Sequence, residues 1–406
     1  MRHRGAQGSG KRAIANRIGV AALLMMMLTG PAMAQGGKDW PTAAPKDFGF
    51  HPEKLDALDA DLASGKYGLV DSMLVLRCGT NVYDKTYKHD YGQTYGERGK
   101  KEGPLNHDLT GPYNYFSTDF HPYYHGTDMH TMQSISKTVT SVTLGIAKTH
   151  DDFPVSLDTP ILKYFDSHHV KNLDDRKKRI TIRDLLTMSA GIEWHEDVPY
   201  DDPRNSADLM EASHDWVQYV MDQPMASEPG KTFVYSSGAT VLLAHVFKKV
   251  TGKNVDDYAE EHLFRPLGIR HYWKHTPTGL PDTEGGLYLS THDLAKIGQL
   301  YLKGGMWEGK ELVSSYWVKD SVSAHLPAED KFKYGYYWWL SSFGTAPDDV
   351  AWAARGFGGQ LMYVVPEYDM VAVFTGWDIL STEEQHPHDL LERTLDSANR
   401  FYGCTE

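Results

Sequence analysis

Apolar residues between His130 and Lys148 recur at helical spacing: Ile135, Val139, Val142 and Ile146 follow steps of four, three and four. Ser134, Lys137, Thr138, Ser141 and Gly145 form a second face of small residues around one lysine. A helix apolar on one face and small on the other is buried on both sides. Lys137 is the sole Asp, Glu, Lys or Arg between Asp128 and Lys148, so the pattern predicts a lysine inside the protein.

Extended patterns occupy both ends of the chain. Met73 to Arg77 is a short apolar run, Cys78-Gly79-Thr80-Asn81 is turn chemistry, and Val82 to Tyr87 resumes an extended pattern, predicting a hairpin. Strands are predicted at Tyr334–Leu340, Gly359–Val365 and Met370–Thr375, the last two joined by Pro366-Glu367-Tyr368-Asp369. Helices are predicted at Ile182–Met188, Leu209–Met221, Thr240–Val250 and Thr291–Leu302, and a terminal one at about Asp389–Tyr402. Residues 88–128, rich in Tyr, Gly, His and Asp, show no period and read as a long loop. Strands at both ends with helices between imply an α+β fold: an antiparallel sheet built from residues of about 70–90 and 330–376, flanked by helices, with a mostly helical region of about 130–305 inserted.

The first 34 residues stand apart. Arg2, Arg4, Lys11, Arg12 and Arg17, an apolar run from Ile18 to Leu28, and Ala32-Met33-Ala34 have the layout of a cleaved export signal. The run is too short to span a bilayer, which takes ~20 apolar residues. The domain proper is then 35–406, in the periplasm or secreted, with no membrane association after the signal is removed. Losing five positive charges takes the net charge from −13 to −18, which excludes nucleic acid as a natural partner. Export permits a disulfide between Cys78 and Cys404, but the sequence leaves their pairing open, as it does the oligomeric state.

Ser134-Ile135-Ser136-Lys137 is an S-x-x-K motif at a helix start, which puts both side chains on one face. A serine hydroxyl needs a base to become a nucleophile. A lysine serves as that base if its pKa falls, and burial together with the helix dipole predicts a fall here. Tyr235-Ser236-Ser237 follows Pro229-Gly230 at a helix boundary and would supply a proton relay. Tyr115-Phe116-Ser117 and Tyr288-Leu289-Ser290 match the same Y-x-S pattern. Arg355-Gly356-Phe357-Gly358-Gly359-Gln360 opens a strand, and its glycines would let a ligand approach the backbone, with the Ser134 and Phe357 amides facing an oxyanion.

In this order the three elements resemble the serine β-lactamase and penicillin-binding superfamily, particularly its class C-like esterases and 6-aminohexanoate-dimer hydrolases. Residues 184–191 (DLLTMSAG), 261–268 (EHLFRPLG) and 285–290 (GGLYLS) also look like that branch, and the resemblance spans about residues 50–402. It implies a two-step hydrolysis through an acyl-enzyme on Ser134, Lys137 as activator, Tyr235 as general base and acid, and the Ser134 and Phe357 amides as oxyanion hole. Ser237, Arg355, Gly356 and Gly358 would contact substrate, and neither cofactor nor metal is implied. Penicillin-recognising relatives carry K-T-G where this chain has Ala354-Arg355-Gly356, and often Asn where it has Ser237. Both departures favour small esters or short linear amides over β-lactams or D-Ala-D-Ala peptides, which stand as the alternative substrates. Two further alternatives are a non-catalytic binding module on the same fold and a metallohydrolase using His121, His125, His130, His386 and His388. No H-E-x-x-H or G-x-S-x-G occurs. Residues 88–128, His195–Asn205 and Tyr336–Trp339 are candidate linings of an aromatic cleft.

Overall fold

The two ends of the chain meet in the middle of one sheet. In the computed structural model, which describes residues 40–166, 169–328, 332–346, 349–380 and 387–404, strand β1 (Val70–Arg77) turns into β2 (Thr80–Thr86), while β3 (Leu326–Pro327), β4 (Lys333–Tyr334), β5 (Trp339–Ser342), β6 (Val350–Gly356), β7 (Gln360–Val365) and β8 (Met370–Gly376) come from the C-terminal third. The sheet is antiparallel in the order β2-β1-β8-β7-β6-β5-β4-β3. Its seam pairs Leu74 with Val373 and Leu76 with Val371. Every residue of β1 and β8 is buried, so these strands read as near-continuous β-branched and apolar runs, the pattern of a sheet covered on both faces.

The β1–β2 turn is the predicted one: Cys78 and Gly79 both have positive φ, at 52° and 68°, as a two-residue hairpin of right-handed twist requires. The Cys78 amide donates to Asp369 O in the β7–β8 turn at 2.9 Å. Cys78 is disulfide-bonded to Cys404 across 326 residues of sequence, which answers the pairing question.

The longer helices are α1 (Pro52–Ala63), α2 (Ile135–Thr149), α3 (Ser237–Thr251), α4 (Thr291–Leu302) and α5 (Pro387–Asp396); α4 packs on the sheet, whereas α3 packs among the helices of the inserted region. Helix α4 lies so close to the sheet that a Cβ on Gly298 would come within 2.7 Å of Val371 Cγ1. Helices α1 and α5, from opposite chain ends, are tied by Arg393 to Asp61 at 2.8 Å. From Ile135 to Ala147 every residue of α2 is buried, as the two-faced pattern required. Residues Gly37–Glu406 form one compact unit, and the reading of residues 1–34 as an export signal lies outside the described residues. Among the described residues no helix is long and apolar enough to cross a membrane.

Four predicted elements differ. Leu209–Met221 is two helices, Ser206–Glu211 and Trp216–Asp222, because Asp215 caps the second by accepting from the Gln218 amide. Tyr334–Leu340 is not one strand: Tyr334 ends β4 and Trp339 begins β5, and the turn between them has Tyr337 at φ 61° and Gly335 N donating to Trp338 O. Strand β6 fills the gap left between the predicted strands. Helix α5 stops at Asp396, and the chain beyond it returns to the N-terminal segment through Asn399 N to Gly49 O at 2.7 Å. Within residues 88–128 the chain is ordered around buried polar residues: Asn106 and Asn114 donate to the carbonyls of Gly99, Lys101 and Leu109.

Candidate active site

Ser134 owes its position to an abrupt strand-to-helix change. His130–Thr131 pairs with Leu287–Leu289, Gln133 takes φ 47°, and Ser134 then begins α2 as its N-cap. A non-glycine residue at positive φ is strained, and such strain concentrates where a site needs it. Gly356, at the end of β6, packs on this turn: a Cβ there would stand 2.4 Å from Met132 O. That contact sets the β6–β7 turn, with Phe357, Gly358 (φ 82°) and Gly359 (φ 105°), beside Ser134. Both Ser134 and Phe357 line one narrow pocket.

Lys137, one turn into α2, is fully buried, and its Nζ donates to Ser134 Oγ and to Glu284 O, both at 2.8 Å. The Glu284 carboxylate lies 4.0 Å away. Tyr235 presents its ring 5.2 Å from Lys137 Nζ and stacks on Trp339 at 5.7 Å between centroids. Burial pushes the Lys137 ammonium down as the sequence predicted, but Tyr235, Glu196 and Glu284 together outweigh it, and the net direction is up. This corrects the expectation of a depressed lysine. Burial raises the Tyr235 phenol, opposed first by the Lys137 charge and also by hydrogen bonding with Ser134 and Lys137. The resting site therefore pairs an ammonium with a neutral phenol, which titrate together.

Glu196 was not among the residues singled out in the sequence, although its loop was. It accepts from Ser237 N and Ser237 Oγ at 2.7 Å, from Trp194 Nε1 at 2.7 Å and from Tyr200 OH at 2.8 Å. Ser237 is thus wholly buried and committed to Glu196, outside the pocket lining. Arg355 also points elsewhere, with its guanidinium 4.9 Å from the Trp339 ring and 5.1 Å from Phe332. Gly358 is buried under Ile379 and Trp377.

The other side of the pocket is acidic. Tyr115, Tyr200, Glu211 and Glu284 line it with Ser134 and Phe357. Tyr115 OH donates to Glu211 Oε1 at 2.6 Å. Burial, then the charge of Glu284 and a hydrogen bond to it, holds the Glu211 carboxyl well above the usual range. Glu284 is raised by burial and by Asp282, with Lys137 and Glu211 opposing. Behind them Lys274 and Asp282 form a buried ion pair at 3.7 Å. Glu284 sat next to a quoted Gly-Gly motif, a signal that would have found it. Glu211 carried none.

Of the two other Y-x-S tyrosines, Tyr115 reaches the pocket, whereas Tyr288 faces His121 at 3.2 Å. The histidines do not assemble as a metal set. His130 meets Asp71 at 2.8 Å, His125 meets Thr118 O and His388 meets Glu392, while His386 lies outside the described residues. The one grouping with metal-ligand spacing among the described residues is His150, Asp152 and His262, at the far end of α2.

Comparison with known proteins follows this geometry. A family model described as Beta-lactamase matches residues 71–382. The chain is similar to a 6-aminohexanoate-dimer hydrolase of Paenarthrobacter ureafaciens, 24% identical over 67% of this chain and 71% of that protein. Its fold is similar to a family VIII carboxylesterase (TM-score 0.60, 15% identity, 89% and 99% of the two chains). It is equally similar to a penicillin-binding protein homologue from Caulobacter crescentus (TM-score 0.60, 14% identity, 89% and 100%).

Proposed function

Since this chain belongs to the Beta-lactamase family, among whose members it resembles hydrolases, we propose that it is a serine hydrolase that cleaves esters or short linear amides through an acyl-enzyme on Ser134. The observation that carries this reading is the buried Lys137 Nζ bonded to Ser134 Oγ at 2.8 Å, with Tyr235 beside both.

The charge state assigns the roles. A lysine held as ammonium is a donor and cannot take the serine proton. Burial raises the Tyr235 phenol and the Lys137 charge opposes that rise, so the base is the phenolate form of Tyr235, stabilised by Lys137. Ser134 Oγ attacks the carbonyl carbon as its proton passes to the Tyr235 oxygen. The carbonyl oxygen becomes an oxyanion facing the Ser134 and Phe357 amides. The proton then goes from Tyr235 to the leaving alcohol or amine as the C–O or C–N bond breaks. Water, losing its proton to Tyr235, attacks the acyl carbon, and Tyr235 returns that proton to Ser134 Oγ as the C–Oγ bond breaks and the acid leaves.

The substrate preference rests on charge. β-Lactams and C-terminal D-Ala-D-Ala carry a carboxylate, for which the described pocket lining offers no Lys or Arg, while Arg355 is engaged with aromatic rings. An export signal in residues 1–34 is supported by the disulfide, which persists in an oxidising compartment.

A fluorophosphonate probe followed by peptide mass spectrometry tests the reading. Label on Ser134, lost in Lys137→Ala, is expected. An unlabelled folded protein would favour a binding module. Nitrocefin turned over as fast as p-nitrophenyl butyrate would move the assignment to β-lactamase.

A further inference from the structure

Helix α2 ends, away from Ser134, in a second cluster of chemistry-bearing side chains. His150 is the C-cap of the helix, Asp151 takes φ 60°, and the Asp152 amide then donates to Ala147 O at 2.9 Å. A non-glycine residue at positive φ is strained, and here the reversal brings Asp152 back beside His150. The third member comes from a distant segment. His262 lies in a five-residue π turn, Glu260–Phe264, between the helical turns Val255–Ala259 and Arg265–Leu267. Such turns are rare and recur at functional sites, because the extra residue re-aims a side chain.

A ring nitrogen of each histidine and a carboxylate oxygen of Asp152 all lie within 4.8 Å of one another. The two imidazoles meet edge to face at 5.1 Å between centroids, and among the described residues no protein hydrogen bond occupies a ring nitrogen of either. Asp152 is already aimed. Tyr258, 2% exposed, donates its hydroxyl to Asp152 Oδ2 at 2.7 Å and lays its ring against His262 at 4.3 Å. Ligating carboxylates in metal sites are commonly oriented by an outer hydrogen bond of this kind. The carbonyl end of a fifteen-residue helix adds negative potential. The Glu261 carboxylate adds more, 3.6 Å from His262 Nε2, and it also pairs with the neighbouring cation Lys253.

We propose that His150, Asp152 and His262 bind a divalent transition-metal ion of the zinc class, with water in the remaining coordination position. Two imidazoles and one carboxylate suit Zn²⁺ better than Mg²⁺ or Ca²⁺, which take oxygen ligands. Tetrahedral zinc holds its ligand atoms about 3.3 Å apart, and the exposed His150 and Asp152 side chains are free to close on the ion. At 1.5 Å per residue, α2 sets the ion about 20 Å from Ser134. The metal therefore fastens the end of α2 to the segment carrying His262 and takes no part in chemistry at Ser134.

Two measurements on the untagged full chain, treated with EDTA and dialysed, test the site. The first is calorimetric titration with zinc chloride. One equivalent is expected to bind with a Kd on the order of 1–10 μM, weakened at least about tenfold in His150→Ala and in His262→Ala, with magnesium chloride giving no binding at the same concentrations. No zinc binding up to about 1 mM, or binding that both variants leave unchanged, would overturn the proposal. The second needs no variant and decides alone should either variant fail to fold: modification by diethyl pyrocarbonate, read by peptide mass spectrometry. Zinc is expected to protect His150 and His262 and to leave the exposed His51 as reactive as before. Equal modification with and without zinc, or equal protection of all three histidines, would refute the site.

Discussion

Two groups of polar side chains lie at and behind the pocket, and their hydrogen bonding differs. On the wall of Ser134, Lys137, Tyr235 and Glu196, the polar groups are matched: Glu196 accepts four hydrogen bonds and Lys137 donates two. On the wall of Glu211 and Glu284, Glu284 Oε1 has no hydrogen-bond partner among the described residues, while Lys274 behind it is paired with Asp282. Matched buried groups hold one geometry, which a nucleophile and its proton relay need. Unmatched ones keep capacity for a ligand, since desolvation has already been met in the empty site.

The largest effects should come from the matched wall. Tyr235→Phe is expected to lower kcat/KM for p-nitrophenyl butyrate by roughly two to four orders of magnitude, and a loss under tenfold would remove the phenol from the mechanism. The same assay over pH carries a sign. The reactive phenolate is the deprotonated form of a group raised above its ordinary value, so kcat/KM should climb from neutral into alkaline pH. Tyr235→Phe should flatten that limb, whereas a rate already level at neutral pH would mean that another group is the base. Next is Glu196→Ala, which orphans the buried Ser237 amide and hydroxyl. A stability loss of about 3 kcal/mol in chemical denaturation is expected, and an unchanged midpoint would show that the wall is not held this way. The smallest is Glu211→Gln, which exchanges a protonated carboxyl for a neutral amide. Its denaturation midpoint should stay within about 1 kcal/mol of the unaltered protein. A large destabilisation would make the acid pair structural and erase the contrast between the walls.

Legibility in the sequence followed the same division. Helix α2 announced itself through Ile135, Val139, Val142 and Ile146, and the burial of Lys137 followed from its being the lone charge there. The hairpin at Cys78-Gly79 was equally plain, because both residues of the turn need positive φ. The interrupted helix at Ser213–Asp215 and the turn at Tyr337 were not, since an apolar run looks alike whether it extends or folds back. Ser237 and Arg355 were read as substrate contacts from their place beside motifs. Their partners, Glu196 on one side and Trp339 with Phe332 on the other, come from distant segments.

The sequence by itself determined the fold class, the position of Ser134 and Lys137 on one helical face, and the three-element order of the site, because each is written in local spacing or in motifs of a few residues. Only the tertiary structure set the direction in which the Lys137 pKa moves and brought the two acids beside it. Burial and Coulomb interaction depend on distances in space, and Glu196, Glu211 and Glu284 approach the nucleophile from two loops and a short helix whose spacing encodes no such meeting.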